Sequence, residues 1–292
     1  YKSVTRTIKS ISQYFKPCLS WSKISSGSIA FRYYPKGFIF DVAGCSIYYK
    51  DDAKMYYHFG FINSKVAKKI FDVLSPTLNY EAGHVASIPV IYNEEKISNV
   101  NKIVCNNISI SKSDWDSFET SWDFKAHPLV KNHVSTISEA YNLWSKECED
   151  RFNTLKSNEE ELNRIFIDIY GLQDELDPYV EDKDVTVRKA DLVREVKSFI
   201  SYAVGCIFGR YSLDVEGLDY AGGEWDSSNY TSFIPDKDNI IPMCDEEYFE
   251  DDIVSGFVQF VKVVYGEDTL EENLQFIANA LGGSSNSRDV LR

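Results

Sequence analysis

The sequence predicts an α+β fold in three parts: residues 1–110, residues 111–172 and residues 173–292. Aromatic and β-branched runs separated by turn residues indicate that the first part is rich in strands. Apolar residues at heptad spacing predict one long helix in the second part. Amphipathic segments between acidic and Gly-rich stretches predict a mainly helical third part.

The size and composition are typical of a globular chain with more than one domain. The chain has 292 residues, of which 43% are hydrophobic and 26% charged, so we expect two or three domains. No apolar run reaches the roughly 20 residues that a membrane span needs, and we find no signal peptide. We therefore expect a cytoplasmic protein with no membrane partner. Because the sequence starts at Tyr1 and stops at Arg292 without a tail, we also expect a piece of a longer protein.

Five runs in the first part are predicted strands, and one segment is a predicted helix. The strands are expected at 28–34, 38–42, 46–50 and 57–62, with a short edge strand at 87–91 that contains Pro89. Ser64 has the character of a helix cap, and the apolar residues after it recur at helical spacing as far as Leu74. The turn at 35–37 favours a hairpin between the first two strands.

The second part contains one helix of roughly 35–40 residues that begins near residue 132. Six of six positions on one heptad line and four of six on another are apolar, and a break near 157–158 would give two helices instead. The lines contain these positions: 134, 141, 148, 155, 162 and 169; 137, 144, 151, 158, 165 and 172. Gly171 is a suitable helix stop. Such a helix is typical of a spacer or a packing arm.

The third part has predicted helices at 190–208 and 270–281, with an irregular Gly, Asp and Ser-rich segment at 213–242. Between them lies a cluster of acids, which could bind a divalent cation or begin a helix. Its members are Asp245, Glu246, Glu247, Glu250, Asp251 and Asp252. The helix start is favoured, because cation loops need ordered spacing and a Gly turn.

Charge is divided unequally along the chain. The net charge is −14, yet residues 1–110 hold 14 Lys and Arg against 7 Asp and Glu, so the remainder carries −21. A basic first part can attract phosphate even when the whole chain is acidic. Solvated lysines and a solubilising acidic surface would explain the same numbers.

The usual catalytic and metal motifs are absent from the sequence. None of the four His pairs with another His or a Cys at metal spacing, and the six Cys are scattered singly. No Gly-x-Ser-x-Gly and no Gly-Lys-Ser/Thr loop occurs. Asp177-Pro178-Tyr179 falls one proline short of the motif that grips a flipped adenine. We therefore expect no catalytic residue, no metal and no cofactor in this chain.

Several stretches of the sequence carry a resemblance to a known family. They are YYPKGFIFD at 33–41, AGCSI at 43–47, GFINSKVA at 60–67, LSPTLNYEAGH at 74–84, SDWDSFETSWDF at 113–124, ELNRIFIDIYGL at 161–172 and FISYAVGCIFGRY at 199–211. Together they resemble the C-terminal half of the adenine-specific DNA methyltransferases of BREX phage-defence systems, the phage growth limitation type. More distant relatives are fused type II restriction–modification enzymes and type I specificity subunits. Residues 216–292 match less clearly.

The resemblance implies that residues 1–110 form a target-recognition domain and that the long helix is a spacer. The parent enzyme would transfer a methyl group from S-adenosylmethionine to adenine in double-stranded DNA, using motifs that are not in this chain. Basic, aromatic and hydroxyl side chains suit phosphate and base contacts. The candidate DNA contacts are Lys23, Ser25, Ser26, Arg32, Tyr33 and Lys36.

Two hypotheses therefore stay open. The chain is a DNA target-recognition fragment of a methyltransferase in phage defence, or it is an assembly module that binds other defence-system proteins without reading DNA. The acidic third part and the heptad helix would carry the second role. A free-standing enzyme is disfavoured by the missing motifs.

Overall fold

The structure is a computed structural model that describes residues 8–75, 77–246, 248–283 and 287–291; Glu247 of the acidic cluster lies outside these residues. Three strands are present in the described ranges: β1 (Cys18–Ser22), β2 (Arg32–Tyr34) and β3 (Gly44–Ile47). The same ranges contain ten α-helices: α1 (Asp52–Ile62), α2 (Lys65–Leu74), α3 (Ala82–Ala86), α4 (Glu94–Trp115), α5 (Pro128–Lys131), α6 (Ile137–Tyr170), α7 (Leu192–Ile207), α8 (Ile253–Tyr265), α9 (Leu270–Ala280) and α10 (Ser287–Leu291). The α+β class is thus confirmed in its coarse form.

The chain divides into two compact units, and each has its own hydrophobic core. Unit 1 consists of residues 1–110 and 154–186, and unit 2 consists of residues 111–153 and 187–292. The boundaries between the units fall within α4 and α6, so each unit contains part of both helices. The functional domains predicted at 1–110, 111–172 and 173–292 stay a prediction.

The small sheet of unit 1 has β1 in the middle, with β2 and β3 antiparallel on either side. Leu19 on β1 pairs with Tyr33 and Ile47, and Ser20 pairs with Arg32 and Ser46. Alternate residues of a strand point to opposite faces, so these two rows lie on opposite sides of the sheet. Leu19 is fully buried, which identifies its side as the inner face.

The first part holds fewer strands than predicted. Segment 57–62 is not a strand but the second half of α1, and 38–42 and 87–91 form no ladder in the described chain. The strand predicted at 28–34 is reduced to β2, and β2 pairs with the unpredicted β1 rather than forming a hairpin with 38–42. The predicted helix after Ser64 is confirmed: the Ser64 hydroxyl caps α2 by accepting from the amide of Ala67.

Unit 1 is built around helices that pack on the inner face of the sheet. Its buried core contains Trp21 from β1, Tyr57 and Phe61 from α1, Phe71 from α2 and Phe166 from α6. Close packing of α1 depends on the absence of a side chain at one position. A Cβ at Gly60 would lie 2.9 Å from Cγ2 of Val104 in α4. A glycine at that contact lets two helices approach closely.

Unit 2 is a helical cluster around α7. The core contains Trp144, Phe199, Tyr202 and Phe260, and Phe199 contacts the rings of several neighbours. The predicted helices at 190–208 and 270–281 are confirmed as α7 and α9, with slightly later starts or earlier ends. The segment 213–242 is irregular as predicted, apart from a short 3₁₀ turn at Ser227–Asn229.

The long helix predicted from the heptad pattern is confirmed as α6, a single helix of 34 residues without a break near 157–158. Gly171 follows it with a φ of 66°, which suits a helix stop. Most of the apolar side chains at the heptad positions are buried in the two hydrophobic cores of the chain itself. Trp144 and Cys148 are buried in unit 2, while Leu162 and Ile165 are buried in unit 1. Those side chains are therefore not available as a coiled-coil seam for a partner.

The acidic cluster begins a helix, as favoured above. Asp252 caps α8 because its carboxylate accepts a hydrogen bond of 2.7 Å from the amide of Ser255. Across the part of the chain that the structure describes, no three His, Cys, Asp or Glu side chains are grouped to hold a metal ion. No helix in the described ranges is long and apolar enough to span a membrane.

Candidate nucleic-acid interface

The outer face of the sheet in unit 1 presents a polar row that crosses all three strands. Arg32 on β2, Ser20 on β1 and Ser46 on β3 are cross-strand partners, so their side chains point to the same side. Arg32 is exposed and both serines are half-buried. The Ser20 hydroxyl donates to the carbonyl of Cys45 over 2.8 Å, which fixes its direction. A guanidinium beside two hydroxyls can contact phosphate or a base edge.

The structure does not bring the six predicted contact residues onto one surface. Arg32 lies on the outer face, but Tyr33 lies on the inner face, where its ring packs 6.1 Å from that of Tyr56. Lys36 lies in the exposed turn that follows β2. Lys23 and Ser25 lie beyond the end of β1.

The segment after β1 pairs with residues 78–80, while the amide of Lys23 still donates to the carbonyl of Ala43, just before β3, over 2.9 Å. The carbonyl of Lys23 accepts from the amide of Tyr80 over 2.7 Å, and the amide of Ser25 donates to the carbonyl of Leu78 over 3.0 Å. The Ser25 hydroxyl accepts from the amide of Gly27, and Ser26 is exposed in the bend between them. Lys23, Ser25 and Ser26 therefore form a group separate from Arg32 and Lys36.

The cations differ in how freely they can meet an anion. The Nζ atom of Lys23 lies 3.0 Å from Oε1 of Glu81, so a carboxylate already neutralises part of its charge. Arg32 and Lys36 have no carboxylate within 4 Å in the described residues. Of the predicted cations, these two are the ones that can replace counterions on a polyanion without first breaking an ion pair.

The basic character of this region continues beyond the predicted residues. Residues 8–50 hold six Lys and Arg and a single acid, Asp41, for a net charge of +5. The carboxylate of Asp41 is turned into the loop before β3, where it accepts from the amides of Ala43 and Gly44 at 2.8 and 2.9 Å. These two backbone amides therefore offset part of the negative charge of the Asp41 carboxylate.

Aromatic side chains cover one end of the outer face. Phe40 packs against both Tyr14 and Tyr48, with ring centroids 5.3 and 5.6 Å apart. Burial raises the pKa of Tyr48 to about 12, with smaller effects from nearby Cys18 and Ser46. Burial also raises the pKa of the Cys18 thiol. Both groups are neutral at physiological pH, so Cys18 is not set up as a nucleophile.

Sequence reasoning missed several residues that the fold adds to this region. Ser20 and Ser46 join Arg32 only through strand pairing, which the sequence did not predict because β1 was not recognised. Lys16 and Phe15 come beside the turn after β2 because the carbonyl of Phe15 accepts from the amide of Gly37 over 3.2 Å. The run Tyr14-Phe15-Lys16, two aromatic residues followed by a cation, was the available signal.

The described residues do not fit a site for S-adenosylmethionine. Such a cofactor is held by a Gly-rich turn between a parallel strand and a helix, and the sheet here is antiparallel with three short strands. Asp177-Pro178-Tyr179 also has a structural explanation. The Pro178 carbonyl accepts from Asn163 over 3.1 Å, and the Tyr179 ring lies under the Lys156 ammonium at 4.8 Å. That segment is a loop fastened to α6.

Comparison with known proteins decides the relationship. No protein-family model matches the chain. Adenine-specific methyltransferase PglX of Lacticaseibacillus casei (strain Zhang) is 46% identical over 282 residues, covering 94% of this chain and 23% of that protein. The resemblance to BREX-type adenine-specific methyltransferases is confirmed. Adenine-specific methyltransferase BrxX of Escherichia coli O9:H4 (strain HS) is 33% identical over 295 residues, covering 92% of this chain and 24% of that protein.

The match to PglX and BrxX extends through nearly the whole chain and reaches into residues 216–292, where the sequence resemblance was less clear. The chain spans about a quarter of the length of these curated relatives, 23% and 24%, and so corresponds to a fragment of a BREX-type enzyme. Both units described above therefore belong to the region shared with PglX and BrxX.

Proposed function

We propose that this chain is the DNA target-recognition fragment of an S-adenosylmethionine-dependent adenine methyltransferase of phage defence. Unit 1 contacts double-stranded DNA, and methyl transfer takes place on a catalytic domain that is not part of this chain. The similarity to two adenine-specific methyltransferases carries the proposal. A cytoplasmic location belongs to the same proposal.

The charge and geometry of unit 1 support DNA as its ligand. Arg32 stands exposed on the outer face next to Ser20, and Lys36 stands exposed in the adjoining turn. Phosphate contacts from Lys and Arg supply most non-specific affinity, whereas an Arg in the major groove can read guanine. Arg32 is the candidate for base reading, and Lys36 is the candidate for phosphate contact.

A salt titration of DNA binding tests this assignment. We would measure fluorescence anisotropy of a labelled duplex of mixed sequence with the complete chain and with R32E/K36E. The slope of log affinity against log salt should fall by about one for each lost phosphate contact. The matched control is K69E/K102E, which makes the same charge change at two exposed lysines on α2 and α4 of unit 1.

The two double variants separate a specific surface from general charge. Retained affinity in K69E/K102E together with loss in R32E/K36E supports the assignment. Equal loss in both would show that only the overall charge matters and would contradict it. Absence of binding by the unaltered chain even at low salt would favour the assembly role instead.

An assembly module is the second candidate, because unit 2 exposes apolar side chains within an acidic segment. Ile240, Met243 and Tyr248 are 74%, 84% and 72% exposed, and acids flank them on both sides. The heptad helix does not support this role, since Trp144 and Leu155 are buried. Capture of partner defence proteins by the chain but not by I240S/M243S would favour it, with V73S/I91S on exposed positions of unit 1 as the control.

A further inference from the structure

Phe15 and Phe38 are joined through their backbones beside β2, and each residue is about half exposed. The Phe15 ring contacts Tyr14 with ring centroids 6.5 Å apart, and the Phe38 ring contacts Tyr34 with ring centroids 5.2 Å apart. The amide of Phe15 donates to the carbonyl of Phe38 over 3.0 Å, and the amide of Gly37 donates to the carbonyl of Phe15 over 3.2 Å. These two bonds fix the spacing of the two residues. Phe15 is 54% exposed and Phe38 is 50% exposed, although neither is at a chain end.

The backbone at Phe15 is strained in a way that its own packing does not explain. Its φ is 63°, in the left-handed region that residues with a Cβ rarely adopt. Phe15 keeps this conformation although the residue is 54% exposed and its ring meets Tyr14 edge-on at the surface. Strained residues that persist at the surface tend to mark functional positions.

The surroundings of the pair are apolar and basic. Ile11, Ile39 and Val42 lie within four residues of Phe15 or Phe38 in the sequence and are 61%, 60% and 80% exposed. Lys16 follows Phe15 and Lys36 precedes Gly37; both are exposed and have no carboxylate within 4 Å among the described residues. Exposed aromatic rings with lysines next to them match a ligand in which flat, stacked apolar groups lie between two rows of negative charge.

We propose that Phe15 and Phe38 form a wedge that inserts at a base step of duplex DNA while Lys16 and Lys36 contact the phosphates on either side. This inference rests on the proposed function and adds the way in which the DNA is held. Apolar side chains inserted between base pairs unstack them and kink the duplex. A kink also widens the reach of the neighbouring outer face, where Arg32 stands.

Preference for unstacked DNA is the direct test. We would compare binding of the complete chain to two labelled duplexes of equal length and sequence, one matched and one with a central two-base mismatch. The mismatch removes part of the unstacking cost, so the unaltered chain should bind the mismatched duplex about tenfold more tightly. In F15N/F38S the ratio should fall to about one while the salt slope stays unchanged.

The variants are chosen to keep the fold and the charge. Asn tolerates the left-handed conformation at position 15. The matched control is I24S/L78S, which removes two exposed apolar side chains at 68% and 57% exposure from another edge of unit 1. Far-ultraviolet circular dichroism checks that each variant folds. If the double variant does not fold, F15N alone is used, and its ratio of affinities for the mismatched and matched duplexes should lie between about ten and one.

Each outcome supports or overturns the wedge. The outcome that overturns the proposed function is a separate one, the absence of DNA binding. A tenfold preference that is lost only in F15N/F38S supports the wedge. A preference that persists in F15N/F38S, or is lost equally in I24S/L78S, overturns it while DNA binding itself stands. If the unaltered chain shows no salt-dependent binding to either duplex, both proposals are overturned. Vesicles containing phosphatidylserine are the second probe: if the unaltered chain binds them, F15N/F38S does not, and neither chain prefers the mismatched duplex, the pair belongs to a lipid-binding surface and the wedge is overturned.

Discussion

Asn163 on α6 accepts a hydrogen bond of 2.9 Å from the backbone amide of Lys65, the first residue of α2. The two residues are far apart in sequence but lie in the same unit. The other end of the Asn163 amide donates to the carbonyl of Pro178 over 3.1 Å. One buried side chain thus joins α6, the start of α2 and the loop that contains Asp177-Pro178-Tyr179.

Replacement of Asn163 by Leu should destabilise the chain by about 2 kcal/mol. The change leaves the half-buried amide of Lys65 and the half-buried carbonyl of Pro178 without their partner, and an unsatisfied group costs about 1–3 kcal/mol when it is buried. Urea unfolding followed by circular dichroism measures the difference. The matched control is N153L on the exposed side of α6. A cost in N163L no greater than that in N153L would contradict the proposed joint.

Glu159 on α6 should make the chain less stable as the pH rises through neutrality. Burial raises its pKa from 4.5 to about 7, and Asp184 acts in the same direction against the opposing effect of Lys68. Because the folded state holds the proton more tightly, stability is full below pH 4.5 and declines as the pH rises toward and beyond 7.

The variant E159Q removes that pH dependence. At pH 8 it should be more stable than the unaltered chain by about 1–2 kcal/mol, a range lowered for partial exposure to water. At pH 4 the two should be equal. Thermal unfolding between pH 4 and pH 8 measures this, with E149Q at an exposed position of α6 as the control. A difference that does not change with pH would show that Glu159 does not titrate in this range.

His127 should give the opposite pH dependence in unit 2. It is 1% exposed, and burial lowers its pKa from 6.5 to about 3. The unfolded chain binds a proton below pH 6.5 that the folded chain refuses, so stability declines as the pH falls from 6.5 toward 3. Its Nδ1 accepts from the amide of Leu129 over 3.3 Å.

Asn at position 127 keeps an acceptor near that amide and cannot be protonated. H127N should therefore lose less stability between pH 7 and pH 5 than the unaltered chain does. H133N, at an exposed position, is the control. Parallel stability curves for H127N and the unaltered chain would show that His127 is not the source of the acid sensitivity.

The sequence predicted the helices of unit 2 better than the elements of unit 1, and α1 shows the reason. Tyr57, Phe59 and Phe61 alternate with other residues as in a strand, and strand propensity favours that assignment. In the structure Asp51 instead caps α1, because its carboxylate accepts from the amide of Ala53, and the helix buries Tyr57 and Phe61 one turn apart. Tertiary packing overrode local preference.

The candidate interface could be predicted only in part, because its surface is assembled by strand pairing. Arg32 and Lys36 were identified from residue type, whereas the position of Ser20 opposite Arg32 depends on the register of β1. Tyr33 follows Arg32 in sequence and therefore lies on the other face. A list of neighbouring polar residues cannot distinguish the two faces until the strand is known.

Removal of Arg194, the ion-pair partner of the buried Glu195, should lower the stability of the chain more than removal of the partner of an exposed acid does. Glu195 is 1% exposed and its Oε1 atom lies 2.6 Å from Nη2 of Arg194. Loss of one partner of a buried pair costs about 3–5 kcal/mol, and the partial exposure of Arg194 favours the lower end. Urea unfolding of R194M should show this, and R194M/E195M should recover most of it.

The comparison pair is Arg164 and Glu161, which lie on α6 with both side chains about half exposed. R164M should cost less than about 1 kcal/mol, because exposed pairs contribute little. Equal costs in R164M and R194M would show that burial of Glu195 does not govern the effect. A failure of E195M to rescue R194M would place the cost in lost packing of Arg194 against the Phe118 ring, which lies 5.7 Å away.

The strain at Phe15 predicts a reversed order of two substitutions. At ordinary surface positions Gly is less stable than Ala by roughly 0.5–1 kcal/mol, because the glycine backbone loses more freedom on folding. At a φ of 63° the order changes, since Ala keeps the Cβ clash that costs about 1–2 kcal/mol and Gly does not. F15G should therefore be more stable than F15A by about 1 kcal/mol in urea unfolding. F38G and F38A, at a residue without positive φ, should show the usual order. If F15A proved as stable as F15G or more so, Phe15 would not be held in the left-handed region, and the conformation that presents its ring would need another explanation.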